Sequence, residues 1–289
     1  MQLRNPLGVH ALVWAGDTSP ASVAHAVAQT ARTGFDLLEI SLHDSLNLDV
    51  AAARKLLQEN GLKVACSRGL AFDADVSSAD PAVVERGAKL LHDSLVITHE
   101  LGGTHFTGAL YSALGKYGAP LTDAGRANVV GVLRDLAASA QDRSMTLGLE
   151  VCNRYETNVI NTAADALRLA DDIGADNVLV HLDTYHMNIE EDDLVRPVRL
   201  VGDRLGYVHI GENHRGYLGS GHLDFTAFFH ALADISYTGP ITFESFSSAV
   251  AARGLSNDLA IWRNLWDDGE DLARHARQFL ANHLTARPA

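Results

Sequence analysis

Four polar residues lie at the ends of four consecutive apolar segments, and their types could together bind a divalent cation. They are Glu150 in TLGLEV, Asp183 in NVLVHLD, His209 in LGYVHIGE and Glu244 in ITFESF. Buried carboxylates are costly unless they are paired or bind a cation, and three of them side by side repel one another. A ligand set that is mostly oxygen favours Mn2+, Mg2+ or Co2+ over thiolate-preferring ions. We expect one such divalent ion per subunit, with Mg2+ and Co2+ as alternatives to Mn2+.

Three further polar residues follow soon after these candidate ligands. They are Glu156 in NRYETN, His186 in DTYHMN and Arg215 in ENHRGYLGSG. Taken singly, each could be a solvated loop charge or a helix cap. Together they offer donors and acceptors of the kind needed to hold several hydroxyl groups.

Aromatic and other side chains near the same segments have plainer explanations. Trp14 in the first apolar segment and Phe246 at the end of the last could form walls of a pocket, and core packing would explain them equally well. We expect His181 and Cys152 to be structural.

Eight apolar segments of strand length alternate with segments of helical period along the whole chain. The predicted strands are 7–15, 37–42, 63–70, 102–109, 146–151, 177–183, 205–212 and 241–246. The predicted helices are 17–34, 49–59, 79–102, 122–142, 161–173, 190–203, 224–235 and 256–284. Eight strand–helix repeats without a linker predict one (β/α)8 barrel domain over 1–289, in which 256–284 is a C-terminal helical extension. A doubly wound open sheet is the alternative.

In such a barrel the carboxyl ends of the strands meet at one face, where the chemistry takes place. The four candidate ligands end the fifth to the eighth predicted strands, so we expect them to converge. This expectation depends on register, because a slip of one residue turns a side chain to the other face. The segment 108–121 after the fourth strand is longer than an ordinary connection and could be a surface loop or a loop that covers substrate.

Composition excludes several classes of function. The chain has 289 residues, with 23 Lys and Arg against 36 Asp and Glu, which gives a net charge of −13. This charge disfavours nucleic acids and anionic membranes as partners. No apolar stretch is long enough to span a membrane, and no secretion signal is predicted. The two cysteines, Cys66 and Cys152, form no CxxC motif and no disulfide framework, which fits a reducing, cytoplasmic compartment.

Four segments together resemble the ketose 3-epimerases of the xylose-isomerase-like barrel superfamily. They are LGLEVCNRYETN (147–158), HLDTYHMNIEE (181–191), YVHIGENHRGYLGSGHLDF (207–225) and ITFESF (241–246). The resemblance implies that Glu150, Asp183, His209 and Glu244 bind the metal and that Glu150 and Glu244 double as the catalytic acid–base pair. It also implies that Glu156, His186 and Arg215 contact the C1–C3 end of the sugar, and that the protein is a homo-oligomer, dimer or tetramer. The aromatic pattern near the N-terminus and in 108–121 differs from that of the best-known members.

Inversion at C3 of a ketose matches the chemistry that these residues could perform. The C3 proton is weakly acidic, so its removal needs a Lewis acid that stabilises the developing enediolate. A proton must leave one face and return to the other, which two carboxylates on opposite sides achieve. We expect interconversion of D-fructose and D-allulose, of D-tagatose and D-sorbose, or of L-ribulose and L-xylulose.

Other functions remain open from the residues. An aldose–ketose isomerase or hydroxypyruvate isomerase of the same superfamily would use a similar metal set. A DNA-repair endonuclease of this barrel class would need more ligands and a basic face, which the net charge disfavours. A Schiff-base aldolase would need a lysine at the carboxyl end of a strand, where none is predicted. A sugar-binding barrel without turnover is the non-enzymatic alternative.

Overall fold

A computed structural model describes residues 5–43, 48–251 and 253–285 of the chain. Eight parallel strands form a closed barrel in the order of the sequence, and β8 pairs with β1 to complete it. The strands are β1 (Leu7–His10), β2 (Leu37–Ser41), β3 (Lys63–Ser67), β4 (His105–Gly108), β5 (Thr146–Glu150), β6 (Val178–Asp183), β7 (Leu205–Ile210) and β8 (Ile241–Phe243). The predicted single-domain (β/α)8 barrel is confirmed, and the open sheet is excluded.

Ten helices lie among the described residues. They are α1 (Pro20–Arg32), α2 (Val50–Glu59), α3 (Pro81–Leu101), α4 (Asp123–Gln141), α5 (Ala163–Ile173), α6 (Thr184–Glu190), α7 (Val195–Val201), α8 (Phe225–Asp234), α9 (Arg253–Asp258) and α10 (Gly269–Thr285). Local sequence explains where several begin: the Ser19, Asp80 and Thr162 side chains accept hydrogen bonds from the first turns of α1, α3 and α5. None of the described helices is both long and apolar enough to cross a bilayer.

The strands are apolar because the barrel buries both of their faces. All six residues of β7 and all four of β1 are buried, and the apolar sides of the helices pack around them. Register places Asp183 opposite His209, and His209 opposite Thr242. Side chains at the ends of neighbouring strands are therefore close in space.

All eight strands are shorter than predicted, and three of them end at least three residues early. Strand β1 ends at His10, and Ala11–Val13 form a 3-10 turn whose Leu12 amide donates to His10 Nδ1 at 3.2 Å. Strand β3 ends at Ser67, and β8 ends at Phe243, one residue before Glu244. The prediction that 11–15 continue the first strand was wrong, because apolar content does not distinguish a strand from a buried turn.

Two predicted helical segments differ from the helices in the structure. The segment predicted as 190–203 contains α7. The preceding helix, α6, begins directly after Asp183 and ends at Glu190, so most of it lies before the predicted segment. In the C-terminal segment 256–284, residues 259–268 separate α9 from α10. Trp266 lies in this separating stretch and packs into the protein's own core. Its indole nitrogen donates to Ser245 Oγ at 2.8 Å.

The long connection after β4 is held against neighbouring elements. Tyr117 donates to Asp75 Oδ2 at 2.6 Å, and the amide of Gly115 donates to the Glu156 carbonyl at 2.7 Å. The connection begins at Gly108, whose φ is 115° and where an added Cβ would lie 2.4 Å from the Arg68 carbonyl oxygen. Only glycine fits this bend. The segment 108–121 is therefore a fixed wall at the carboxyl end of the barrel.

Candidate active site and metal centre

The ends of β5, β6 and β7 and the residue after β8 bring four side chains together. Each of Glu150, Asp183, His209 and Glu244 offers one ligand atom, and these atoms lie within 4.8 Å of one another. His209 Nδ1 is 3.3 Å from Glu150 Oε1, 3.4 Å from Glu244 Oε1 and 3.9 Å from Asp183 Oδ2. One imidazole nitrogen therefore faces three carboxylates. This is the convergence that the strand ends predicted.

The chemistry of this donor set fits a divalent cation. Burial raises the pKa of each of Glu150, Asp183 and Glu244 above its ordinary value. Asp183 Oδ1 accepts from the Tyr185 amide at 2.6 Å, but Asp183 Oδ2 is buried without a hydrogen-bond donor among the described residues. A cation at the cluster would give this oxygen a partner and offset the repulsion among the carboxylates. These residues therefore form a candidate metal centre.

A further carboxylate, Glu39 of β2, lies behind His209 and was missed by sequence reasoning. Glu39 Oε2 is 2.8 Å from His209 Nε2, and the side chain is fully buried. Burial disfavours a charged His209, but Glu39, Glu244 and Glu150 outweigh that effect and raise its pKa well above the ordinary value. The sequence signal that could have revealed Glu39 is its position as a single acid within the apolar segment LLEISL.

His186 lies in α6 beside the cluster. The Asn153 backbone amide donates to His186 Nδ1 at 3.2 Å, and Arg215 Nη2, which can only donate, lies 3.3 Å from His186 Nε2. His186 Nε2 points into the site, 3.7 Å from Asp183 Oδ2 and 3.8 Å from Glu150 Oε1. Burial, with a contribution from Arg215, lowers the pKa of His186 to about 3. The imidazole is therefore neutral near pH 7.

Glu156 reaches the same group of side chains from the loop after β5. Its Oε1 accepts from Asn153 Nδ2 at 2.9 Å, and its Oε2 is 3.9 Å from His186 Nε2. Asn153 connects Glu156 to His186, a role that sequence reasoning did not assign. Asn153 is part of the segment NRYETN, but an amide in a loop gives no sequence signal of its own.

Arg215 lies across the mouth of the cluster. Its guanidinium carbon is 4.1 Å from the centre of the Tyr185 ring and 4.4 Å from that of Phe246. Such stacking holds the planar group in one orientation. Arg215 has a φ of 57°, which is unusual for a residue other than glycine, and its carbonyl oxygen accepts from Ser245 Oγ. The surrounding residues fix both the backbone and the side chain of Arg215.

A cavity opens onto the cluster at the carboxyl end of the barrel. Its wall includes three of the candidate ligands, all three predicted substrate-binding residues and Phe246, as well as His10, Leu114 and Leu259. Phe246 therefore lies where sequence reasoning placed a possible pocket wall. Leu114 comes from the loop 108–121, which contributes to the cavity.

Trp14 does not line this cavity, and that expectation is corrected. Its indole nitrogen donates to Thr30 Oγ1 of α1 at 3.1 Å, so the ring lies between the barrel and α1. The cause is the early end of β1, because the 3-10 turn at Ala11–Val13 breaks the strand alternation before Trp14.

Two residues expected to be structural lie close to the candidate ligands. His181 Nδ1 is 2.6 Å from Thr107 Oγ1, and its ring centre is 4.2 Å from that of His209. Its ring could also form a ligand group with Glu150 and His209, and Cys152 could form one with Glu150 and His186. Both side chains are buried.

Comparison with known proteins agrees with this architecture. The family model described as "Xylose isomerase-like TIM barrel" matches residues 27–283. The chain belongs to the xylose isomerase-like TIM barrel family.

Within this family, the chain is similar to curated ketose epimerases. It is 50% identical to an L-ribulose 3-epimerase of Methylomonas sp. (strain DH-1), with 94% of this chain and 96% of the relative covered. It is 48% identical to a ketose 3-epimerase of Arthrobacter globiformis, with 97% of both chains covered. The resemblance to ketose 3-epimerases is confirmed.

A solved structure gives the same result in three dimensions. A D-allulose 3-epimerase from Methylomonas sp. in complex with D-allulose superposes with a TM-score of 0.95 at 49% sequence identity, and the match covers 97% of this chain and 98% of that chain. The likeness covers the whole barrel, including the end that carries the candidate metal centre.

Proposed function

We propose that this protein is a metal-dependent ketose 3-epimerase that reversibly inverts C3 of free ketoses. The observation that carries the proposal is the placement of two glutamates about one imidazole: Glu150 and Glu244 lie 3.3 and 3.4 Å from the same nitrogen of His209. They come from the first and last of four consecutive strand ends, so they approach the cavity from different sides. The names of the similar enzymes support the same reaction.

Glu150 and Glu244 are the proposed acid–base pair. One carboxylate takes the proton from C3 and the other returns a proton to the opposite face, so that the configuration inverts. Their roles exchange when the reaction runs in reverse.

Glu150, Asp183, His209 and Glu244 are the proposed metal ligands. A bound divalent ion would supply a Lewis acid that stabilises negative charge on the substrate when the C3 proton leaves. We propose Mn2+ as this ion, with Mg2+ or Co2+ as substitutes, because three of the four ligands are carboxylates.

Glu156, His186 and Arg215 are the proposed substrate-binding residues at the C1–C3 end. The neutral His186 presents Nε2 to the site, where it can form a hydrogen bond with a hydroxyl, whereas Glu156 can accept from one. Arg215 donates from a guanidinium that is held between two aromatic rings. Phe246 and Leu114 line the cavity that would hold the sugar.

The proposal includes the protein's assembly and its place in the cell. We propose a homo-oligomer, dimer or tetramer, for which the exposed Trp262 offers an apolar contact. Analytical ultracentrifugation tests this part. A cytoplasmic location is supported by the two free cysteines, Cys66 and Cys152. The net charge of −13 argues against nucleic-acid partners.

The activity is tested by incubating the protein and Mn2+ with D-fructose, D-allulose, D-tagatose or L-ribulose, with and without a chelator. Chromatography of the products should show the C3 epimer of at least one ketose, and the chelator should abolish it. An aldose product would identify an isomerase instead. No product from any of these sugars would contradict the proposed function.

A further inference from the structure

Glu39 is a buried carboxylate that the proposed reaction does not use. It lies on β2, on the opposite side of His209 from the candidate metal centre, and its side chain is fully buried. Its ion-pair partners among the described residues are two histidines, at 2.8 Å for His209 Nε2 and 3.7 Å for His10 Nε2. No described lysine or arginine forms an ion pair with it. An acid in such a position is costly to bury, so its presence needs an explanation.

A hydrogen bond to Tyr207 does not by itself explain why a carboxylate is buried at position 39. Tyr207 donates to Glu39 Oε2 at 2.8 Å, but its hydroxyl also lies 2.7 Å from Thr242 Oγ1, which could satisfy it alone. Glu39 Oε1 is buried without any hydrogen-bond donor among the described residues. The close, directed contact that remains is the one with His209.

The contact with Glu39 determines which nitrogen of His209 can bind a cation. An ionised carboxylate only accepts hydrogen bonds, so at 2.8 Å the hydrogen is on Nε2. A ring that binds a cation is neutral, and its lone pair is then on Nδ1, the nitrogen that faces the three carboxylates of the candidate metal centre. Carboxylates that accept from the remote nitrogen of a metal-binding histidine fix its tautomer and raise its basicity.

We propose that Glu39 is a positioning residue that holds His209 with Nδ1 directed at the metal and with the hydrogen on Nε2. Tyr207 and Thr242 in turn hold Glu39, so that a chain of hydrogen bonds runs from β8 through β7 and β2 to the candidate ligand. This inference rests on the proposed function, because it takes the four-residue cluster to be a metal site. Glu39 itself touches neither metal nor substrate.

The test measures Mn2+ affinity rather than turnover. The full-length protein is stripped of metal and titrated with Mn2+, and the free ion is followed by its electron paramagnetic resonance signal. Glu39→Gln keeps the volume and removes the charge, and Glu39→Leu removes both charge and acceptor. Loss of a carboxylate behind a metal-binding histidine typically weakens affinity by about 10–100-fold, so we expect about tenfold for Glu39→Gln and more for Glu39→Leu.

Asp75→Asn is the matched control. Asp75 is another buried carboxylate, but it contacts Ser77, Ala113 and Tyr117 in the loop region rather than the candidate ligands. This variant should unfold at a lower temperature than the parent and bind Mn2+ with the parent's affinity. A purely structural role of Glu39 would give the same result for Glu39→Gln.

Each outcome decides the proposal. Weaker Mn2+ binding by folded Glu39→Gln, with unchanged binding by Asp75→Asn, supports it. Binding by Glu39→Gln within twofold of the parent overturns it, whether or not Glu39→Leu folds. If the parent itself fails to bind Mn2+, the metal site of the proposed function fails and this inference fails with it. If the parent binds Mn2+ and epimerises a ketose while Glu39→Gln binds equally well, only the role of Glu39 is lost.

Discussion

Arg215 Nη1 lies 3.1 Å from Glu244 Oε2, so the proposed substrate-binding arginine contacts one of the two proposed proton-transfer groups. The guanidinium is mostly buried and is stacked between Tyr185 and Phe246. A single side chain therefore links the wall of the cavity to the candidate metal centre.

Arg215→Ala should mainly raise KM. The variant loses a charged hydrogen-bond donor to the substrate, which is worth roughly 1.5–3 kcal/mol, or about 10–100-fold in kcat/KM. Steady-state kinetics with the preferred ketose measures the effect. Arg196→Ala is the control, because Arg196 pairs with Asp192 at the surface. A fall confined to kcat would show that the assignment of Arg215 to ground-state binding is wrong.

Ser245→Ala should loosen Arg215 without touching the substrate. Ser245 Oγ donates to the Arg215 carbonyl and accepts from the Trp266 indole at 2.8 Å, and Arg215 holds an unusual positive φ. We expect a loss of about 1 kcal/mol in the free energy of unfolding and a higher KM. Urea denaturation and kinetics measure the two effects. Ser248→Ala, at an exposed serine, should change neither, and an unchanged KM in Ser245→Ala would refute this role.

Metal binding should stabilise the fold. A ligand at a hundred times its Kd adds about 2.7 kcal/mol to the free energy of unfolding, which for a chain of this size is a rise of roughly 5 °C in Tm. Thermal unfolding with chelator and then with excess Mn2+ measures this. Asp183→Asn weakens one ligand and should reduce the response. Equal Tm values for the parent with and without Mn2+ would argue against a metal centre at the four strand ends.

His10 should make the metal-free protein less stable in mild acid. Burial lowers the pKa of His10 to about 4, although Glu39 opposes the shift. The unfolded histidine, with a pKa near 6.5, binds a proton that the folded one does not, so stability is present above about pH 6.5 and is lost as the pH falls toward 4. The loss is up to roughly 1.4 kcal/mol per pH unit. Urea denaturation at pH 7, 6 and 5, with chelator present, measures the free energy of unfolding of the parent and of His10→Gln. This free energy should fall less steeply with decreasing pH in the variant. The same pH dependence in both proteins would contradict the prediction.

Much of the fold and the four-residue cluster could be predicted from the sequence. Alternating strand and helix periods define a (β/α)8 barrel, and the barrel brings strand ends to one face. Glu150, Asp183 and Glu244 are acids at the ends of otherwise apolar segments, which makes them visible. Their convergence needs only the correct order and register of parallel strands.

What could not be predicted depends on contacts between distant strands. Glu39 and Tyr207 look like isolated polar residues in apolar strands. Their strands, β2 and β7, are not neighbours in the sheet, and only closure of the barrel lets their side chains meet in its interior. Trp14 was misplaced because the turn after His10 has no strong breaker residue. Asn153 acquires its role from the distance between β5 and α6, which composition does not encode.

Proton exchange at C3 tests the central claim most directly. The parent with Mn2+ and its preferred ketose is incubated in deuterated water beside Glu150→Gln and Glu244→Gln, and the label is located by mass spectrometry and NMR. Mn2+ affinity is measured for each variant, so that assays are run with the metal site filled. The account predicts deuterium at C3 for the parent and a loss of about 10²–10⁴-fold in turnover for each variant. Deuterium incorporation and epimer formation at near-parental rates in either variant would contradict it.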